Sequence, residues 1–348
     1  MTDQSNRKAE LLSSPVEHID ITAFDGRPMV DAWEKMSFTS RDAARAARIL
    51  QAAVADPDCT VILTLAGSTS AGGCMHVWRD MVRNNMVDAI VSTGAAIVDM
   101  DFFEAMGFKH YQAREIPDDR ILRELYIDRI YDTYIDEEEL QACDAATLEI
   151  ANLLEPGPRS SRSYIKAMGK WLADGNAKKQ GSLVQECYEH GVPIFCPAFS
   201  DCSAGFGLVK HQVERMKAKQ PYLSIDSVAD FRELTEVKIA AGSTGLFMVG
   251  GGVPKNFAQD TVVCAEILGV ESPMHAYAVQ ITVADVRDGA CSSSTLKEAC
   301  SWGKVDVALE QMVFAEATTV APVMVSSVYH TRDWEKRPRR RWADLFAD

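Results

Sequence analysis

The run Cys291-Ser292-Ser293-Ser294-Thr295-Leu296-Lys297-Glu298-Ala299-Cys300-Ser301-Trp302-Gly303-Lys304 gathers a thiol, a carboxylate, an indole and an amine in one short stretch. If the stretch from Thr295 is helical, Glu298 and Trp302 share a face. Gly303 then ends the helix and leaves Lys304 in a loop beside them. A lysine held against an indole and a carboxylate is oriented and partly desolvated, which makes it a better nucleophile toward a carbonyl or an imine. The indole face also attracts alkyl-ammonium cations. Cys291 reads either as a second nucleophile or as the small buried residue that free cysteines usually are. By spacing alone, Lys304 also fits an ordinary surface lysine.

Such groups need a frame. Residues 59–66 are an apolar, β-branched run that ends in Gly67-Ser68-Thr69-Ser70-Ala71-Gly72-Gly73 before a helix over 75–84. The pattern recurs at 87–96, which closes on Ser92-Thr93-Gly94-Ala95-Ala96, and at 192–198, followed by Asp201-Cys202-Ser203-Ala204-Gly205. It recurs again at 245–252, ending in Gly250-Gly251-Gly252, and 276–282 is a further apolar run. Five strands separated by helical stretches predict a Rossmann-like α/β fold, a largely parallel sheet with helices on both faces. None of the turns is a clean G-x-G-x-x-G. Together, however, small residues at several strand ends would let an extended dinucleotide lie close to the backbone. Singly, each fits an ordinary tight turn equally well.

Residues 1–35 read as a polar extension, 36–330 as one large domain opening on a helix capped at Ser40, and 331–348 as a basic tail. The segment Lys336-Arg337-Pro338-Arg339-Arg340-Arg341-Trp342 could bind an anionic partner or fold back on an acidic body, but a flexible terminus is the expectation. The acidic run Asp136-Glu137-Glu138-Glu139 reads as the solvated start of a helix. His110, His190, His211 and His275 read as structural, since none has metal-ligand spacing, and no metal site is expected.

With 50 acidic and 36 basic side chains in 348 residues, the net charge is −14. That excess argues against a nucleic-acid partner and favours a cationic one. The sequence shows no apolar leader and no run of about 18 apolar residues, so no membrane association is expected and cytoplasmic residence is the default. Nine cysteines without a Cys-x-x-Cys pair fit reduced thiols.

Glu298-Ala299-Cys300-Ser301-Trp302-Gly303-Lys304 resembles the E-A-x-S-W-G-K hallmark of the deoxyhypusine synthase family. The resemblance extends through Asn85-Met86-Val87-Asp88 leading into Ser92-Thr93-Gly94-Ala95, and through Asp128-Arg129-Ile130. It continues in Pro193-Ile194-Phe195-Cys196-Pro197-Ala198 with Asp201, and in Thr244-Gly245 before Gly250-Gly251-Gly252-Val253-Pro254-Lys255. It implies an NAD-dependent aminoalkyl transfer, in which a polyamine gives up a hydride to NAD and its aminobutyl group passes through an imine on Lys304. An acceptor amine then displaces the lysine and the same NADH reduces the product. It also implies NAD contacts at Gly67, Ser68, Thr93, Gly94, Ala95, Ala96, Asp99, Asp201 and Ser203, in the Thr282 to Gly289 loop with Asp288, and at Glu316. A cytoplasmic homotetramer with sites at dimer interfaces is implied as well.

Three positions depart from the family pattern. Asn256 stands where a histidine follows the glycine run, and Phe206 and Cys291 stand where carboxylates hold the polyamine. Each missing carboxylate removes a partner for an ammonium. Retained Glu298, Trp302 and Lys304 therefore predict surviving imine chemistry on a polyamine or related cationic amine. The acceptor would be a small diamine, as in a homospermidine synthase, or a protein lysine. The competing readings are a hydrolase of a guanidino amine such as agmatine using Cys291, and a non-catalytic NAD-binding protein.

Overall fold

A computed structural model of the chain describes residues 3–347. Its central sheet has six strands, all parallel: β1 (Thr60–Leu65), β2 (Ala89–Ser92), β3 (Ile194–Phe195), β4 (Thr244–Val249), β5 (Tyr277–Thr282) and β6 (Glu310–Phe314). Five answer to the apolar runs. β6 was not expected, because Glu310-Gln311 opens it and only Met312 and Val313 are buried. β1 and β4 are buried at every position, as strands covered on both faces must be.

The order across the sheet is β3-β2-β1-β4-β5-β6. Chain direction across the sheet reverses between β1 and β4, paired from Thr60↔Thr244 to Leu65↔Val249. This is the dinucleotide-binding topology, and such sheets take ligands in the crevice beyond the carboxyl ends of the two strands at the reversal. Here those ends are Ala66-Gly67-Ser68 and Gly250-Gly251-Gly252.

Helices cover both faces. They include α1 (Phe38–Ala55), α2 (Met75–Arg83), α3 (Glu137–Leu153), α4 (Ser203–Lys217), α5 (Gly252–Gln259), α6 (Leu296–Ser301) and α7 (Ala317–Tyr329). The Asp136 side chain accepts from the Glu138 N–H and starts α3, so the acidic run does open a helix. Two small accessory sheets, Tyr111–Gln112 with Ile127–Ile130 and Thr133–Asp136, and Gly157–Arg159 with Leu223–Ile225, were not expected.

The expectation of a flexible basic tail is corrected. Arg337 is buried, and its guanidinium donates to Asp88 Oδ2 at 2.6 Å, the Asn85 carbonyl at 2.7 Å and the Cys59 carbonyl at 2.8 Å. Arg339 bonds the carbonyls that end α2, where a cation also suits the helix dipole. Residues 3–35 likewise join the body: Val16 N–H bonds the His110 carbonyl, and Gly26 lies so close to α7 that a Cβ would meet the Val323 carbonyl at 2.3 Å.

Candidate active site

The chain between β5 and β6 builds the site. It crosses the carboxyl edge of the sheet, settles on the glycine run after β4, and then runs back along α5 to Lys304. A Cβ on Gly251 would stand 2.3 Å from Ser292 Cα, so only glycine lets loop and run meet. Ser292 Oγ accepts the Gly252 N–H at 3.0 Å, and its carbonyl accepts Gln280 Nε2 at 2.9 Å. From the other side, the buried Lys255 ammonium of α5 donates to the Cys291 carbonyl at 2.9 Å, the Ser294 carbonyl at 2.5 Å and Ser294 Oγ at 3.0 Å. Burial pushes the Lys255 pKa down to about 8, and three oxygen acceptors favour its charged form.

This loop separates two cavities. One, of about 600 Å³, is lined by Lys304, Trp302, Asp260, Asn256, Cys291 and Glu298, with apolar walls from Phe231, Val263 and Ile267. The other, of about 820 Å³, lies over the β1/β4 reversal and is lined by Gly67, Ser68, Gly250, Gly251, Thr282 and Glu316. Cys291 faces the first and Ser292 the second.

Lys304 sits where the sequence predicted, past a helix closed by Gly303 at φ +72°. Its backbone is fixed by His275, whose N–H bonds the Lys304 carbonyl at 2.9 Å. The ring of His275 is buried between Thr244 Oγ1 at 2.8 Å and the Ala258 carbonyl at 3.2 Å. Since that carbonyl can only accept, Nε2 carries the proton and Nδ1 receives the hydroxyl. Burial holds the His275 pKa down at about 3, so the ring is neutral.

The Lys304 side chain is only 12% exposed, with Nζ 5.3 Å from the centre of the Trp302 ring. Glu298 requires a correction. It lines the pocket, but its carboxylate turns back to the Thr295 N–H at 2.5 Å while its own N–H bonds Thr295 Oγ1 at 3.0 Å. This reciprocal cap starts α6 and holds the Glu298 pKa below the usual carboxylate range. The carboxylate on Lys304 is instead Asp260, at 2.5 Å from Nζ, a residue not anticipated. Asn256 joins the two, donating to Asp260 Oδ2 at 2.7 Å and accepting from Lys304 at 3.3 Å. Helical i, i+4 spacing of Asn256 and Asp260 was the signal available in the sequence.

The other candidates divide. Gly67, Ser68, Thr282 and Glu316 line the larger cleft. Glu316 caps α7 through the N–H groups of Thr318 at 3.0 Å and Thr319 at 3.1 Å; burial opposes its ionisation, but these bonds hold its pKa below normal. Gly289 lines the lysine pocket, and Asp288 braces the loop by accepting the Ala290 N–H at 2.7 Å. Thr93, Gly94, Ala95, Ala96, Asp99, Asp201 and Ser203 form a separate group beyond β2 and β3, outside the lining of both cavities. There Asp99 Oδ1 accepts the Ser203 N–H at 2.8 Å, burial pushes the Asp99 pKa up to about 6, and Gly94 presses on Cys202. Phe206, on α4, is exposed and outside the lysine pocket.

Fold and site thus define an α/β protein of dinucleotide-binding topology with a sequestered lysine beside an open cleft. The family model for deoxyhypusine synthase matches residues 28–328, and the chain belongs to the deoxyhypusine synthase family, a family of transferases. It is 71% identical over 343 residues to the deoxyhypusine synthase-like protein of Caulobacter vibrioides, covering 99% of this chain and 94% of the relative. Against the protein of that name from Coxiella burnetii it is 66% identical over 339 residues, 97% and 96% of the two chains. A solved structure assigned as a deoxyhypusine synthase from Entamoeba histolytica shares the fold with a TM-score of 0.59 at 19% identity, over 93% of this chain and 99% of that one.

Proposed function

We propose that the protein is an NAD-dependent aminoalkyl transferase that passes the aminobutyl group of a polyamine through an imine on Lys304. The observation that carries this reading is a shielded primary amine, clamped by Asp260, Asn256 and Trp302, in a pocket separated from the β1/β4 cleft only by the 289–294 loop.

The cleft suits a dinucleotide. Gly67 at φ +84° and Gly250 at φ +72° bring bare backbone to the strand ends, and a Cβ on Gly250 would strike the Ala66 carbonyl at 2.8 Å. Gly67, Ser68, the glycine run and Glu316 would hold the cofactor, whose contribution when bound is to accept and return a hydride. The residues of this chain do the rest. Trp302 offers its ring face to an alkyl-ammonium and Lys304 supplies the nucleophile, with Phe231, Val263 and Ile267 as apolar surface for the alkyl chain. Phe206 and Thr93–Ala96, which lie outside the lining of the Lys304 pocket, would complete the site of a neighbouring copy in a homotetramer. With Cys291 and Asn256 at the pocket in place of a carboxylate and a histidine, the acceptor is a small diamine rather than a protein lysine.

Purified protein given NAD, spermidine and putrescine is expected to form homospermidine, detected by mass spectrometry. No product with any diamine would defeat the small-amine version. Cys291 is exposed in the same pocket, which is the observation favouring a hydrolase of guanidino amines as second reading. Agmatine turnover that survives Lys304→Ala and is lost in Cys291→Ala would decide for it.

A further inference from the structure

We infer that Asp260 is the proton acceptor of Lys304, the group that moves protons off the amine as its imine forms. This rests on the reading of Lys304 as the imine-forming residue. Asp260 and Glu298 are the carboxylates lining the pocket, and Glu298 is engaged by Thr295. The second buried cation nearby, Lys255, is likewise engaged, by the 291–294 loop. Of the two carboxylates, Asp260 is the one on Nζ, with Oδ1 at 2.5 Å, within the range for direct proton transfer. Asn256 Nδ2 holds the other oxygen, Oδ2, at 2.7 Å, which leaves Oδ1 aimed at the amine.

The step balances as follows. The Lys304 ammonium gives a proton to Asp260, and the free amine adds to the protonated imine carbon of the oxidised donor, forming a C–Nζ bond. Asp260 passes its proton to the donor nitrogen and then carries a second one from the Lys304 nitrogen. The C–N bond to the donor breaks, an alkyl-ammonium departs, and a protonated imine remains on Lys304. Two protons move from one nitrogen to the other and no redox change occurs. Asp260 ends α5's C-terminal turn and contacts both Lys304 and Asn256, so one side chain supplies a proton relay and the orientation of the nucleophile.

The test uses the full-length protein, butanal as a carbonyl probe that needs no cofactor, and cyanoborohydride to fix the imine, with the Lys304 peptide read by mass spectrometry. Asp260→Asn keeps the shape and a hydrogen-bonding group. It is expected to slow adduct formation on the order of 10²-fold and to change the shape of the pH–rate profile, while melting near the wild-type temperature. Asp260→Glu should restore part of the rate. Wild-type adduct with an equal rate and profile in Asp260→Asn overturns the role of Asp260 alone. A wild-type chain that forms no Lys304 adduct overturns the reading of the lysine itself.

Discussion

Replacing Gly251 by alanine should damage both cavities at once. Its φ of −161° lies outside the left-handed region, and the close approach of Ser292 is what the substitution meets first. The new Cβ would stand 2.3 Å from Ser292 Cα, 2.8 Å from its Cβ and 2.9 Å from its Oγ. Carbon atoms pack at about 3.5–4.0 Å, so the Ser292 backbone must retreat by more than ~1 Å. That movement strains three bonds made by Ser292: to the Gly252 N–H at 3.0 Å, to Gln280 Nε2 at 2.9 Å and to Thr282 Oγ1 at 3.3 Å. With overpacking of about 1–3 kcal/mol and partial loss of bonds near 1 kcal/mol each, the expected destabilisation is about 2–4 kcal/mol. Calorimetry should show a Tm lower by several degrees. Because Cys291 and Ser292 line opposite cavities, a shift of this size should also cost on the order of 10²-fold in Lys304 adduct formation and weaken NAD binding by fluorescence titration. A variant with unchanged Tm, NAD affinity and adduct rate would refute the claim that this contact sets the wall between the cavities.

The remaining predictions concern the supports of the site. His275 has a folded pKa lowered to about 3 from 6.5, so below pH 6.5 the unfolded chain takes up a proton that the native one refuses. Its stabilising contribution is complete above pH 6.5 and is lost toward pH 3, at up to about 1.4 kcal/mol per pH unit. Urea midpoints of wild type and His275→Asn between pH 7 and 5 should differ in slope by this component, and parallel slopes would contradict it. Arg337→Ala leaves Asp88 buried and unpaired, with both side chains 1% exposed, and should cost about 3–5 kcal/mol in chemical denaturation. A surface-like change below about 0.5 kcal/mol would show that the tail is not anchored. Glu298→Gln should keep the cap on α6, since glutamine serves the same position of a capping box, and leave Lys304 adduct formation within a few-fold of wild type. A large loss there would restore Glu298 as the lysine's partner.

Much of this architecture was legible because buried parallel strands must be continuously apolar. The runs ending at Leu65, Ser92, Val249 and Thr282 advertise both their burial and the turns that follow. β6 escaped because an edge strand needs only half its residues inside, and Glu310-Gln311 masks Met312-Val313. The α6 helix, its Gly303 stop and the place of Lys304 followed from local rules. What failed was long-range. Arg337 reads as a tail charge until the fold brings Asp88 and two free carbonyls to it, and Asp260 reads as a helix-end residue until α5 is laid beside Lys304. Glu298 lines the pocket, but its carboxylate is turned to Thr295 rather than to Lys304; Thr295-x-x-Glu298 is itself a capping signature, and of two uses of one carboxylate the local one is served first. The acidic net charge fits a cationic substrate, yet the carboxylate that matters in the pocket is a single residue.

The most direct test of the account is reductive trapping during turnover. Protein incubated with NAD and spermidine, then treated with borohydride, should carry an aminobutyl group on the peptide containing Lys304. The label should require NAD and should be absent in Lys304→Ala. An adduct that forms without NAD, appears on another lysine, or fails to form with any polyamine would contradict the assignment.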